Sequence, residues 1–144
     1  MKKIVIFITL ASLLFCCHGD YMELGGGYVY ANRTIGKEIG DGMSSVLIEM
    51  QVLNYSSDDN YIVAYQVPDD DYMSISENVL PKEKEDSIRI LYDKMRKIHH
   101  CYWIVRKSDG MIFGPMEKKE FGRQCKVLNV TVEMNPKYEM DFVR

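Results

Sequence analysis

The chain has 144 residues, 47% of them apolar, and a formal net charge of −3 at pH 7. Roughly 100–200 residues make one ordinary domain, so this chain can bury a real core in a single unit. Its acidic balance argues against nucleic acid as a partner, which calls for a concentrated basic surface, and its ten tyrosines exceed what a core can partner, which places some of them at the surface.

The chain opens with Lys2 and Lys3, followed by an apolar run over 4–15. The run is too short to cross a bilayer as a helix and suits the apolar region of a signal peptide. It ends at Leu14-Phe15-Cys16-Cys17. This resembles the cleavage site of bacterial lipoprotein signals, with a branched apolar residue three places before a cysteine, a small residue just before it, and diacylation of that cysteine. Taking Cys17 as the lipidated residue puts Leu14 and Cys16 in those places. Taking Cys16 puts bulky Phe15 next to the cleavage point. Phe15 departs from the strictest pattern either way, and plain secretion is the alternative. The resemblance implies a signal peptide over 1–16 and a mature envelope domain over 17–144, membrane-anchored and facing the periplasm or cell exterior. Loss of Lys2 and Lys3 takes the net charge from −3 to −5. Acyl chains, rather than a basic patch, then hold the protein at the membrane.

In the mature part, residues 20–30 suggest strand, turn and strand around Gly25, Gly26 and Gly27. Residues 34–45 are polar and glycine-rich, a loop. Residues 46–53 alternate, with Ile48, Met50 and Val52 on one face, and predict a strand. Turn chemistry over 54–60 leads to a second strand over 61–67, the two forming an antiparallel hairpin. Pro68-Asp69-Asp70-Asp71 reads as a solvated acidic loop; the spaced ligands of a calcium loop are absent. Residues 82–99 predict an amphipathic helix, because Ile88, Leu91, Met95 and Ile98 share a face. Glu85–Arg89 and Asp93–Lys97 are i, i+4 pairs on it.

Residues 102–121 carry the clearest local pattern. Asp109-Gly110 between two apolar runs predicts a two-residue hairpin turn. Ser108 then pairs with Met111, Lys107 with Ile112 and Arg106 with Phe113. One face carries Trp103, Val105 and Ile112; the other carries Tyr102, Ile104, Met111 and Phe113. Both are apolar, so both should be covered and Trp103 should be a core residue. Pro115 suits the first turn of a short helix over 116–121, with Gly122 ending it. Residues 126–134 alternate as a final strand, Val130 and Val132 on one side, and the tail runs to Arg144. The fold class expected is α+β: one domain, a mainly antiparallel sheet and two helices.

Few residues invite chemistry. His99-His100-Cys101 are adjacent and cannot readily aim at one tetrahedral metal, and no second ligand cluster has suitable spacing; no metal site and no cofactor are implied. Once Cys16 is removed and Cys17 lipidated, Cys101 and Cys125 remain, and an oxidising compartment favours a disulfide between them. No orienting partner makes Cys101 a nucleophile. No catalytic residue can be assigned, and the expectation is a protein that is not an enzyme.

Two resemblances add to this. Gly19-Asp20-Tyr21, Leu24, Gly26-Gly27-Tyr28, the stretch from Val52 to Gln66, residues 102–105, Gly114-Pro115 and Glu120-Phe121 resemble a family of small bacterial lipoproteins of unknown function. This chain differs by a longer segment between Gln66 and Tyr102. The likeness implies the fold and brings no activity or site. Residues 102–121 alone are similar to GYF-type domains, which bind proline-rich peptides on an aromatic surface; that likeness implies Tyr102, Trp103 and Phe113 as candidate peptide-binding residues. The functions expected are a non-catalytic binding or structural module engaging an envelope protein or peptide, and, as the alternative, an inhibitor or immunity-type lipoprotein. A protruding loop with an exposed anchor residue would favour the alternative.

Overall fold

The computed structural model describes residues 21–134 apart from 42, 50 and 80. The leader over 1–16, Cys17, Met50 and the tail from residue 135 therefore lie outside the described residues. The first sheet is a meander of β1 (Tyr21–Gly25), β2 (Tyr28–Ala31), β3 (Thr34–Gly40) and β4 (Met43–Ile48), hydrogen-bonded in that order. The glycine run makes the β1–β2 turn as expected. Asn32 and Arg33, both at positive φ, make the β2–β3 turn, the conformation a two-residue hairpin loop prefers. Residues 34–45, expected as loop, are instead mostly strand. Gly36 hides the pattern: a Cβ there would lie 2.9 Å from the Ser45 carbonyl oxygen, so glycine serves close strand approach rather than a turn.

The strand expected over 46–53 is divided. β4 ends at Ile48, and β5 (Val52–Ser57) begins the second sheet, whose order is β5-β6-β7-β8 with β6 (Tyr61–Gln66), β7 (Cys101–Arg106) and β8 (Met111–Met116). All pairs are antiparallel. The β5–β6 hairpin forms as expected, with its turn confined to 58–60, where the Asp58 carboxylate accepts the N–H groups of Asn60 and Tyr61 at 2.8 and 2.7 Å.

The acidic stretch after Pro68 starts a helix, α1 (Asp70–Val79), in place of the expected loop. Asp69 caps it by accepting the Tyr72 N–H at 3.0 Å, and Asp70 and Asp71 occupy the first turn, where the helix dipole favours carboxylates. The second helix, α2 (Lys82–Ile98), matches the expected span. Arg96 ties it to α1, reaching Glu77 at 3.1 Å and Asp70 at 3.8 Å; Arg96 also takes Asp93, which was expected to pair with Lys97.

The β7–β8 hairpin forms with the expected faces in a different register. Arg106 pairs with Met111, Val105 with Ile112 and Ile104 with Phe113, leaving a four-residue loop over 107–110. The slip is two residues, so each side chain keeps its face. Lys107 accounts for it. Its ammonium donates to the Leu24 and Asp58 carbonyls and its N–H to Asn60 O at 2.8 Å, which draws it out of the ladder. Pro115, expected to open a helix, follows a cis peptide bond and stays in β8. The helix starts later and runs longer than 116–121, as α3 (Lys118–Leu128) with Gly122 inside it. The strand expected over 126–134 is the end of α3 followed by non-strand chain. Val130, Val132 and Met134 still alternate inward from that chain.

The second sheet is covered on both faces. Its inner face joins Val52, Ile62, Ala64, Cys101, Trp103 and Val105 to Leu24, Tyr28, Ile35 and Ile48 of the first sheet and to Met73, Tyr92 and Met95 of the helices. Its outer face buries Val63, Ile104 and Met116 beneath Phe121, Cys125, Leu128 and the 130–134 segment.

Candidate functional site

The three candidate peptide-binding residues do not share one surface. Trp103 is 5% exposed on the inner face, as the strand pairing predicts. Its Nε1 donates to Gln66 Oε1 at 2.8 Å, and Gln66 Nε2 donates to the Glu49 carbonyl at 2.8 Å, which satisfies a fully buried amide. Gly114 lies against the Trp103 ring: a Cβ there would meet ring carbon Cε3 at 2.7 Å and Tyr102 O at 2.8 Å, and its φ of +135° suits glycine. Tyr102 and Phe113 are on the outer face, toward α3. Trp103 is thus not presented for stacking on proline.

Cys101 and Cys125, expected as a disulfide, are free thiols in this structure. The reason is topological. Cys101 packs in the inner-face core and Cys125 beside the outer-face cluster, with the sheet between them. Burial pushes the Cys101 thiol up to about 12 and raises that of Cys125. His99, at positive φ, ends α2, and His100 stacks on Tyr65, so His99, His100 and Cys101 do not converge. Among the described residues, no group of three or more His, Cys, Asp or Glu side chains is placed to hold a metal ion, and no helix is long and apolar enough to cross a membrane.

The outer face has more to offer. An aromatic row crosses it. The Tyr65 hydroxyl lies 2.7 Å from His100 Nδ1, the Tyr65 and Tyr102 rings are 5.2 Å apart, and Tyr102 and Phe121 are also 5.2 Å apart. Phe121 opens a groove of about 730 Å³ between α3 and the 130–134 segment, with Cys125, Val130, Val132 and Met134 on its apolar walls and Lys126, Asn129, Thr131 and Glu133 as its polar lining. Lys119, Arg123 and Lys126 recur at helical spacing and, with Lys118, are exposed on α3. Among the described residues, no carboxylate pairs with Lys119, Arg123 or Lys126. In an acidic chain this is a local basic surface. The sequence reading missed the groove because it assigned its walls to a strand; Phe121, Cys125 and Leu128 at i, i+4, i+7 were the helical signal.

A polar cluster lies on the other side of the second sheet. The Tyr92 hydroxyl donates to the Glu49 carboxylate at 2.5 Å and meets Ser76 Oγ at 3.1 Å; burial, then the Glu49 bond, raises the Tyr92 phenol. It ties α1 and α2 to the chain between the sheets, with every described buried side-chain polar atom satisfied.

A family of proteins of unknown function, DUF3997, matches residues 28–140. The chain belongs to this family. No curated protein and no solved structure matches it. The DUF3997 match covers both sheets from β2 onward, all three helices and the groove, and names no activity for any of them.

Proposed function

We propose that this DUF3997 protein is a membrane-anchored lipoprotein of the bacterial cell envelope, lipidated at Cys17, whose domain binds another envelope component and performs no chemistry of its own. The anchor rests on Leu14-Phe15-Cys16-Cys17 after a basic start and an apolar run. Binding is supported by the groove: apolar walls fit alternating apolar side chains, and Lys126 on its lining, with Arg123 exposed on the same helix, complements acidic ones, against one lining carboxylate, Glu133. The partner segment is therefore extended, with acidic and apolar residues interleaved. Two tests apply. Cys17→Ser moves the protein out of the membrane fraction and abolishes palmitate labelling; labelling that persists refutes the anchor. A fluorescent peptide of alternating Glu and Val binds the full chain, binds less as salt screens surface charge, and is lost in Arg123→Glu with Lys126→Glu. Binding unaffected by salt or by charge reversal refutes the groove assignment.

The inhibitor reading has one observation of its own. The β3–β4 hairpin extends past the β1–β2 turn and exposes Ile39 and Met43.

A further inference from the structure

Among the described residues, half of the large exposed apolar side chains lie on the first sheet: Tyr21, Met22, Ile39, Met43 and Val46, with Ile39 63% and Met43 62% exposed; Ile75, Val79, Ile90 and Val127 on the helices are more exposed still. In the second sheet Met111 alone is comparable. The distribution follows the hairpin geometry. Tyr28 pairs with Lys37, and Gly27 O accepts the Glu38 N–H at 2.8 Å, so β1 and β2 stop there while Ile39, Gly40 and Met43 extend past them. Gly40 and Asp41, at φ +106° and +52°, turn the tip.

We infer that the tip of the β3–β4 hairpin rests in the membrane interface, making the first sheet the membrane-facing side of the domain. This rests on lipidation of Cys17. Only residues 18–20 separate that cysteine from Tyr21. Four residue steps reach at most about 14 Å whatever their path, so the start of β1 is held close to the bilayer. Tyr21 lies opposite Ala31, and Ala31 opposite Thr34, so the tip is about six residues, roughly 20 Å, along β3 from the chain's entry. Both ends of the first sheet meet one plane when its strands lie along the bilayer surface. Lys37 is offset by Glu38 and Asp41, so anionic headgroups do not draw the tip in. The contact is made by Ile39 and Met43 and depends on the anchor to hold it there.

The test compares hydrogen exchange, read by mass spectrometry, in two full-length proteins: the lipidated form in zwitterionic vesicles and the soluble Cys17→Ser form. Exchange over 39–47 is expected to slow several-fold in vesicles while β6 and β7 are unchanged. Ile39→Asp with Met43→Asp should still float with the vesicles but exchange over 39–47 at the soluble rate, with unchanged β6 and β7 showing that the variant is folded. If the lipidated protein floats and 39–47 exchange as fast as in the soluble form, the inference is overturned and the tip is free for a protein partner. If mass spectrometry finds no acyl group on Cys17, the lipoprotein reading falls, and this inference with it.

Discussion

The two sheets have the same strand count and the same sequential antiparallel order but differ in what covers them. In β6 and β7 every residue from Ile62 to Gln66 and from Cys101 to Val105 is buried, because side chains of both parities meet a core. In β3 burial stops after Gly36, and in β4 only Ile48 is buried. The second sheet is therefore held by its own packing. The first is held by one face and by a few cross-links: the Lys107 ammonium on Leu24 O, Ser57 Oγ donating to Leu24 O at 2.8 Å, the Val52 N–H on Arg33 O at 2.8 Å, and the Tyr30–Tyr55 stack at 4.1 Å. The same strand order thus gives a rigid sheet and a dependent one, and local opening should begin in the dependent one.

The largest effect expected is at the centre of the rigid sheet. Trp103→Ala removes the ring shared by both sheets and the helices and leaves Gln66 Oε1 without its donor. A large-to-small change of this kind costs about 3–5 kcal/mol. Gly114→Ala strikes the same place from the other side, pushing a methyl into the ring and into Tyr102 O. Thermal unfolding of both variants should drop sharply. A Trp103→Ala protein that melts like the parent would remove the second sheet from its place as the core.

The next effect separates the sheets. Lys107→Met keeps the stem and removes an ammonium that bridges the β1–β2 and β5–β6 turns. Hydrogen bonds to charged groups contribute about 1.5–3 kcal/mol each at most, less here because Lys107 is only part-buried. Hydrogen exchange should accelerate in β1 and β2 and stay slow in β6 and β7. Equal acceleration in both sheets would mean that they open as one unit.

The same division decides what the sequence made legible. Strongly periodic segments were readable: α2 from Ile88, Leu91, Met95 and Ile98, and the two faces of the β7–β8 hairpin from its apolar alternation. Hairpin register was not, because it depends on Lys107 reaching carbonyls far away in the chain. The first sheet was half hidden, since Gly36 and Gly40 look like loop although one serves strand contact. The start of α1 was hidden behind Asp69, whose capping role shows only when Asp70 and Asp71 are taken as a first turn. The groove was missed because Val130 and Val132 alternate without belonging to a sheet; alternation reports an extended chain over an apolar surface, whether or not a strand pairs beside it.

Thiol labelling gives a smaller effect that still tells the two faces of the second sheet apart. Under native conditions Cys125 should react with iodoacetamide at moderate rate. Cys101, fully buried with its thiol raised to about 12, should react only on unfolding. Non-reducing mass spectrometry of protein isolated from its native source should find two alkylatable thiols on 101 and 125. A mass two protons lighter, resistant to alkylation, would show a disulfide and require the sheet to have opened between them.

The smallest effect is at the β7–β8 turn, where the register differs from the simplest hairpin. The Arg106 guanidinium grips Asp109, Nη2 to Oδ2 at 2.7 Å and Nε to Oδ1 at 3.0 Å, and the Met111 N–H adds a bond to Oδ1 at 3.1 Å. Arg106 first, then that N–H, holds the Asp109 carboxyl down at about 2 against an ordinary 3.8. The folded value is the lower one, so the stabilisation is fully present above 3.8 and is lost as pH falls toward 2. Solvent screens this exposed pair, and the effect should be small and weaken with salt. Asp109→Asn should therefore melt slightly below the parent at pH 5–7, and the gap should close as pH drops through the window between the two values. A gap that is constant down to pH 2 would show that Asp109 acts through turn geometry alone, since asparagine would then fail for a reason unrelated to charge.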